Sequence, residues 1–205
     1  MTTLQKALTA ILMIVVFVVV TFAIIKDPVK QQSSDVQFTD SKSGISVAYP
    51  KNSRLITDTL EMSSIGYFPT CNSDTAVACV YFASSTYPRS NFNNAGVSVR
   101  IARELSTVDT CNSQTKEEQN SIGEVMIDDI IYKAFGTSDA GMSKQSGGIN
   151  YRTFQNDLCY EITTRVNTTS YEVYDSADVS LFTDSQQLEI ITQLVTIVSS
   201  VKIPR

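Results

Sequence analysis

Histidine and tryptophan are both absent from the 205 residues of this sequence. Without histidine, the chain cannot form a serine–histidine–aspartate triad or a cysteine–histidine dyad, and a zinc hydrolase loses its commonest ligand. Basic residues are also scarce, 16 against 21 acidic ones, which gives a formal net charge of -5. Because phosphates would be repelled by this balance, we expect no nucleic-acid partner.

Other reaction centres are weakly represented. Serine and lysine occur together in residues 41–44 and 143–148, but neither stretch has the spacing that places both groups on one helix face. The paired carboxylates of Asp128 and Asp129 are interpreted as a hydrated hairpin turn, and residues 172–184 as a solvated turn followed by a helix cap. We therefore predict a protein that is not an enzyme and that holds no cofactor and no metal.

One apolar run, residues 7–25, contains no ionisable group. As a helix, it would be about 28 Å long and would span a bilayer. We predict a short N-terminal tail at 1–6, a transmembrane helix at 7–25, a juxtamembrane stalk at 26–36 and an extracytoplasmic domain at 37–205. The alternative is a cleaved signal peptide, although the run ends without an Ala-x-Ala site. The flanking charges give almost no orientation bias, so the cysteines must decide it.

The four cysteines fit no zinc or thioredoxin spacing. Three pairings are possible, and we favour Cys71–Cys79, because a polar Asn-Ser-Asp turn brings the two residues together. Cys111 then remains for Cys159. The alternative is four buried free thiols. Paired cysteines indicate an oxidising space, and hence a single-pass cell-membrane protein whose C-terminal domain is extracytoplasmic. The sequon at Asn167 is consistent with this location, but it matters only in a glycosylating host.

The rest of the chain has mainly the periodicity of β-strands. We predict strands at 44–49, 76–83 and 95–105, hairpins turning at 128–129 and 155–157, and a flexible loop at 136–148. A short helix is expected within 106–119. A longer helix should begin at Thr183 or Asp184, with an apolar stripe formed by Leu188, Ile191, Leu194, Val195 and Val198. An antiparallel sheet with one apolar face covered by a helix is an α+β domain.

Three motifs, "GISVAYP", "VMIDDIIYKAF" and "LEIITQLVTIVSSVKIP", resemble the PsbP-like (Mog1/PsbP) family over residues 36–203. The resemblance implies an antiparallel sheet with packed helices in a PsbP/Mog1-like α/β/α sandwich, here preceded by one transmembrane helix. It also implies a binding or assembly role, as some members have. The sequence departs from the family pattern in lacking tryptophan after Tyr-Pro and in having Asp129 where a hairpin glycine is usual. No metal, photosystem or GTPase-partner residue is carried over.

The predicted function is therefore a membrane-anchored binding or assembly module, with the membrane as its partner and a protein outside the membrane as a candidate second partner. The alternatives are a small-molecule or ion-sensing ectodomain and, less favoured, an enzyme. A pilin-like role ranks low, because the glutamate usually found near the start of the pilin helix is missing. The candidate binding surface is the loop at 136–148 with Tyr151 and Arg152, since tyrosine and arginine are enriched at interfaces. The alternative is a sheet with half-exposed aromatic residues.

Overall fold

The structure, a computed structural model, describes residues 35–58, 71, 76–174 and 178–205. The predicted transmembrane helix at 7–25 and most of the predicted stalk lie outside these residues. Among the helices within the described ranges, none is long and apolar enough to cross a bilayer.

The described part of the chain is built mainly from antiparallel strands. The nine strands are β1 Asp35–Thr39, β2 Ser46–Pro50, β3 Arg54–Ile56, β4 Ala76–Ala83, β5 Phe92–Ile101, β6 Asn120–Ile127, β7 Ile130–Gly141, β8 Lys144–Gln155 and β9 Leu158–Thr169. β1 and β2 form a two-stranded sheet, and the other seven form one sheet in the order β3-β4-β5-β9-β8-β7-β6. All of their pairings are antiparallel, so the predicted mainly antiparallel α+β class is confirmed.

Strands β6 to β9 follow one another through two-residue turns. Each turn has positive φ at both positions, 47° and 61° at Asp128–Asp129, and 52° and 59° at Asn156–Asp157. Asparagine and aspartate tolerate this left-handed backbone, which matches the right-handed twist of the strands. Both predicted hairpin turns are confirmed.

The predicted flexible loop at 136–148 is instead a third hairpin. β7 and β8 pair continuously at its end, from Thr137 opposite Gly148 to Gly141 opposite Lys144, and the chain turns at Met142–Ser143. Its glycine and serine residues suggested a loop because they seldom favour strands. Pairing with a neighbouring strand on each side overrides that preference in β8, which lies between β7 and β9.

One face of the large sheet is covered by a long helix, α2, which spans Asp184–Ser200 and follows the short helix α1 at Val108–Asn112. Thr183 caps α2 as predicted: its hydroxyl accepts a bond from the Gln186 N–H, and its own N–H donates to the Gln186 side chain. The buried side chains of α2 are Ile190, Ile191, Leu194, Val195, Ile197 and Val198. Leu188 is instead 45% exposed, so the apolar stripe is shifted relative to the prediction.

The first strand begins inside the predicted stalk. Asp35 pairs with Pro50 and Val36 with Tyr49, so these two residues, which the prediction assigned to the stalk, lie in β1. The hairpin of β1 and β2 is attached to the end of α2, because Ser46 exchanges two backbone bonds with Lys202.

Both predicted disulfides are present, with Cα–Cα distances of 5.5 Å for Cys71–Cys79 and 5.7 Å for Cys111–Cys159. Cys79 lies in β4 and Cys159 in β9, whereas their partners lie outside the sheet. The second bond attaches α1 to β9, where Cys111 and Cys159 pack with Ala102, Leu105 and Phe154.

Candidate functional site

Tyr151 and Arg152, the residues predicted to form a binding surface, are both buried, with 1% and 0% of their area exposed. They are consecutive in β8, so their side chains lie on opposite faces of the sheet. Tyr151 belongs to the apolar core shared with α2. Arg152 lies on the other face, which we call the polar face. Neither side chain forms an exposed surface, because both faces of the sheet are covered at these two positions.

The guanidinium of Arg152 is held by an ion pair, a hydrogen bond to a backbone carbonyl and an aromatic ring. Its Nη2 donates to Glu118 Oε2 at 2.5 Å and to the Ser113 carbonyl at 3.0 Å. The ring of Phe135 lies 4.4 Å below Cζ, a cation–π contact. Nε is 3.9 Å from Glu161 Oε2, close enough for attraction but too far for a hydrogen bond.

The carboxylate of Glu118 is the main counter-charge of Arg152. It accepts three bonds, from Arg152 Nη2, from Asn150 Nδ2 at 2.8 Å and from the Thr115 N–H at 2.7 Å. The side chains of Glu118 and Arg152 are both 0% exposed. A carboxylate removed from water is tolerable only with such donors around it, so these bonds fix its position.

Arg152 is the centre of a row of charges that crosses five adjacent strands. The row runs Arg100, Glu161, Arg152, Lys133, Glu124, each residue opposite the next in the strand register. Arg100 Nε donates to Glu161 at 2.7 Å, and Lys133 Nζ donates to Glu124 at 2.6 Å. The outer Lys133–Glu124 pair is exposed, whereas the middle is buried. Within the row, Arg152 and the carboxylates near it therefore affect the free energy of unfolding most.

A second guanidinium, that of Arg165, is bonded to neutral acceptors. Its Nη1 donates to Asn150 Oδ1 at 3.1 Å and to the Thr164 carbonyl at 2.7 Å. Burial lowers the pKa of Arg165 to about 10, although Glu161 and Glu118 act in the opposite direction. Arg165 remains protonated at neutral pH and adds positive potential beside Asn150.

A glycine makes room for this arrangement. A Cβ at Gly148 would collide with the Thr164 carbonyl oxygen and would lie 3.1 Å from Arg165 Nη1. The absence of a side chain in β8 therefore allows β9 to approach closely and leaves space for the Arg165 guanidinium.

The segment that covers Arg152 is unusual in composition. Residues 113–119, "SQTKEEQ", which we call the strap, are all polar, and only Glu118 among them is buried. The strap begins two residues after Cys111 and ends where β6 begins. Beyond Glu118 and the Ser113 carbonyl, it is bonded to the sheet by Gln119, whose N–H donates to the Gly136 carbonyl at 2.9 Å and whose side chain reaches Ser138. Polar bonds and the nearby disulfide therefore hold the strap in place.

Sequence reasoning did not find Glu118, Asn150, Glu161 or Arg165 as site residues. The signal for Asn150, Glu161 and Arg165 is the regular alternation of polar and charged residues in β8 and β9, whereas Glu118 lies in the strap and has no such signal. Such alternation ordinarily indicates a solvated face. Here α1 and the strap cover the centre of that face, which the alternation alone does not show.

The remaining predicted positions lie outside this network. Asp128 and Asp129 form a hairpin turn, as expected, and Arg205 lies 3.4 Å and 3.5 Å from their carboxylates. Asp184 is in the first turn of α2, and Asp175 lies outside the described residues. Asn167 is only 1% exposed and its side-chain amide donates to Asn94 at 2.6 Å.

No protein-family model and no curated protein matches this chain. Similar solved structures include a Bacteroides thetaiotaomicron protein, with 8% identity, a TM-score of 0.43, and coverage of 84% of this chain and 49% of that one. The chain thus spans about half the length of that protein. A cyanobacterial PsbP from Synechocystis has 13% identity, a TM-score of 0.41 and coverage of 87% and 97%. The Ran-binding protein Mog1p of Saccharomyces cerevisiae has 12% identity, a TM-score of 0.43 and coverage of 82% and 95%.

The last two carry the names of the family that the sequence motifs resemble. At such identities and TM-scores, the similarity assigns no activity, and no residue role is transferred from these proteins to this chain.

Proposed function

We propose that this protein is a membrane-anchored binding or assembly module whose domain lies in an extracytoplasmic space. The observation that carries the proposal is the pair of disulfides, Cys71–Cys79 and Cys111–Cys159, which use all four cysteines of the chain. Disulfides persist in oxidising compartments and are rare where thiols are kept reduced. The apolar run at 7–25 supplies the proposed membrane attachment, and nine residues, 26–34, separate it from the first described strand.

The location can be tested with the full-length chain in its native membranes. Free thiols are alkylated during lysis without reductant, and the alkylated cysteines are counted by mass spectrometry. We expect none alkylated before reduction and four after it. A membrane-impermeant amine reagent applied to intact cells should label the lysines of the domain. Labelling only after lysis would contradict the proposed orientation.

The binding or assembly role requires a separate measurement. The full-length chain is solubilised in detergent and purified at its natural abundance, without overexpression. Its molar mass is then measured by light scattering after size-exclusion chromatography. We expect a mass above that of one chain with its micelle, and cross-linking should yield a defined larger species. A single chain in every detergent, without a cross-linked species, would refute the assembly role.

A second candidate function, a small-molecule or ion-sensing ectodomain, is favoured by one specific observation. Nε and Nη1 of Arg152 are buried and have no hydrogen-bond partner among the described residues. Guanidinium presents five N–H donors in a planar fork, and a buried donor without an acceptor is costly. An arginine with unused donors beneath a polar strap is an arrangement suited to recognising a small anion.

A further inference from the structure

We infer that Arg152 and Asn150 form a carboxylate-binding site, that Glu118 is its internal ligand, and that an external carboxylate replaces Glu118 when the strap opens. This inference rests on the second candidate function, the sensing ectodomain. The ligand class is a small carboxylate, because a carboxylate is the group that the site already holds.

The first argument is the origin of the donors. Of the three bonds that the Glu118 carboxylate accepts, two come from the sheet, from Arg152 and Asn150, and one from the strap itself. The two sheet donors are fixed: Phe135 packs on the Arg152 guanidinium, and Asn150 Oδ1 accepts bonds from Thr163 and from Arg165. The sheet therefore presents a preorganised pair of donors, and the carboxylate is brought to them by a separate segment.

The second argument is that the strap has no apolar anchor: besides Glu118, it is bonded to the sheet only through the Ser113 carbonyl and Gln119, among the described residues. None of its seven residues is apolar, and every one except Glu118 is exposed or half-buried. Segments with few buried apolar groups open locally at much lower free energy than the core. The strap can therefore lift without disturbing the sheet, because its chain ends remain attached through the Cys111–Cys159 disulfide and through β6.

The third argument is the unused capacity of the arginine. Glu118 engages Arg152 through Nη2 alone, whereas Nε and Nη1 are buried and have no hydrogen-bond partner among the described residues. A carboxylate with free orientation can bond a guanidinium through both oxygens, which is stronger and more specific than a single contact. Arg165, whose Nη1 donates to two neutral acceptors, adds attraction for a negative ligand.

Competition between Glu118 and an external carboxylate sets the affinity of the site for the external one. A tethered carboxylate acts at an effective concentration of about millimolar or higher, so an external carboxylate binds the wild-type protein weakly. Deleting the internal ligand should reveal the site. If the Arg152–Glu118 pair were purely structural, in contrast, removing Glu118 would destabilise the protein, and no external carboxylate would restore its stability.

The test uses the full-length chain in mild detergent, with sodium acetate as the probe and sodium chloride at equal ionic strength as its control. Glu118→Ala removes the internal ligand and leaves room for acetate. Glu124→Ala is the control, since it removes an exposed carboxylate at the outer end of the row of charges that contains Arg152. The readouts are thermal unfolding and amide hydrogen exchange of the strap measured by mass spectrometry.

In chloride, the strap of Glu118→Ala should exchange at least about tenfold faster than that of the wild type, while the β8 and β9 amides stay protected. Acetate should raise the melting temperature of Glu118→Ala above its value in chloride. For Glu124→Ala, the difference in melting temperature between acetate and chloride should equal that of the wild type. In the wild type, acetate should accelerate strap exchange relative to chloride, because it displaces Glu118.

Equal behaviour of Glu118→Ala in acetate and in chloride would overturn the inference. If Glu118→Ala does not fold, the wild-type measurement decides. If acetate leaves the amide hydrogen exchange of the wild-type strap unchanged, or slows it, the proposed competition is refuted. Neither readout depends on the location of the domain, so failure here leaves the disulfide and labelling tests of the proposed function unaffected.

Discussion

Replacing Arg152 by methionine should be among the most destabilising single substitutions on the polar face. Methionine fills much of the volume but leaves the Glu118 carboxylate, which is 0% exposed, with two neutral donors and no cation bonded to it, although the Arg165 charge remains nearby. Breaking a buried ion pair by removing one partner costs about 3–5 kcal/mol. In a chain of this size, each kcal/mol corresponds to about 2–4 °C, so the melting temperature should fall by about 6–20 °C.

Two variants show whether the destabilisation by Arg152→Met comes from the buried Glu118 carboxylate that has lost its partner. Arg152→Met combined with Glu118→Gln removes both charges and should be less destabilised than Arg152→Met alone, with a coupling energy of about 2–3 kcal/mol. Lys133→Met, at the neighbouring exposed position of the row, should cost no more than about 1 kcal/mol. Urea unfolding of the full-length chain in mild detergent, followed by circular dichroism, gives all the values. A loss below about 1 kcal/mol for Arg152→Met, or strict additivity in the double variant, would refute the buried-pair interpretation.

Three further predictions follow from the fold. Replacing Cys111 and Cys159 by serine should cost about 4 kcal/mol, against about 2.5 kcal/mol for the other disulfide, because their sequence separations are 48 and 8 residues; equal losses in urea unfolding would contradict this order. Ser143→Gly should stabilise the protein by about 0.5–1 kcal/mol, since its φ of 65° strains serine but not glycine, and a lower unfolding midpoint would refute this. Expression in a glycosylating host should leave the buried Asn167 of the folded protein unmodified, so that glycosidase treatment causes no mass change; glycan on folded protein would contradict its burial.

Local sequence signals were sufficient for much of the architecture. The capping pair of Thr183 and Gln186, the Asp128–Asp129 turn and the bounds of β4 depend on neighbouring residues, and the sequence displays them directly. The disulfide pairing was also accessible, because the short polar sequence between Cys71 and Cys79 predicts a turn that pairs them and leaves one combination for the others.

The β7–β8 hairpin could not be predicted in the same way. Met142 and Ser143 are not the residues that usually occupy a tight turn, and the glycines around them are common in loops. In the structure, residues 137–148 are held by continuous pairing of β7 with β8 and by pairing of β8 with β9, which the composition of this segment does not show.

The candidate site was missed for a related reason. Arg152 and Glu118 are 34 residues apart, and nothing near either residue shows that it is buried. An arginine in a strand is usually exposed, which is why Arg152 suggested a surface. Its burial results from the strap, and the strap itself is a polar sequence that resembles an ordinary solvent-exposed loop.

The central claim is that this domain is held together by two disulfides in a non-reducing space outside the membrane. The most direct measurement is the alkylation state of the full-length chain, trapped at the moment of lysis without reductant and read by mass spectrometry. The account predicts no alkylated cysteine and two cross-linked peptides, one joining Cys71 to Cys79 and one joining Cys111 to Cys159. Four alkylated cysteines in the freshly trapped protein would contradict it.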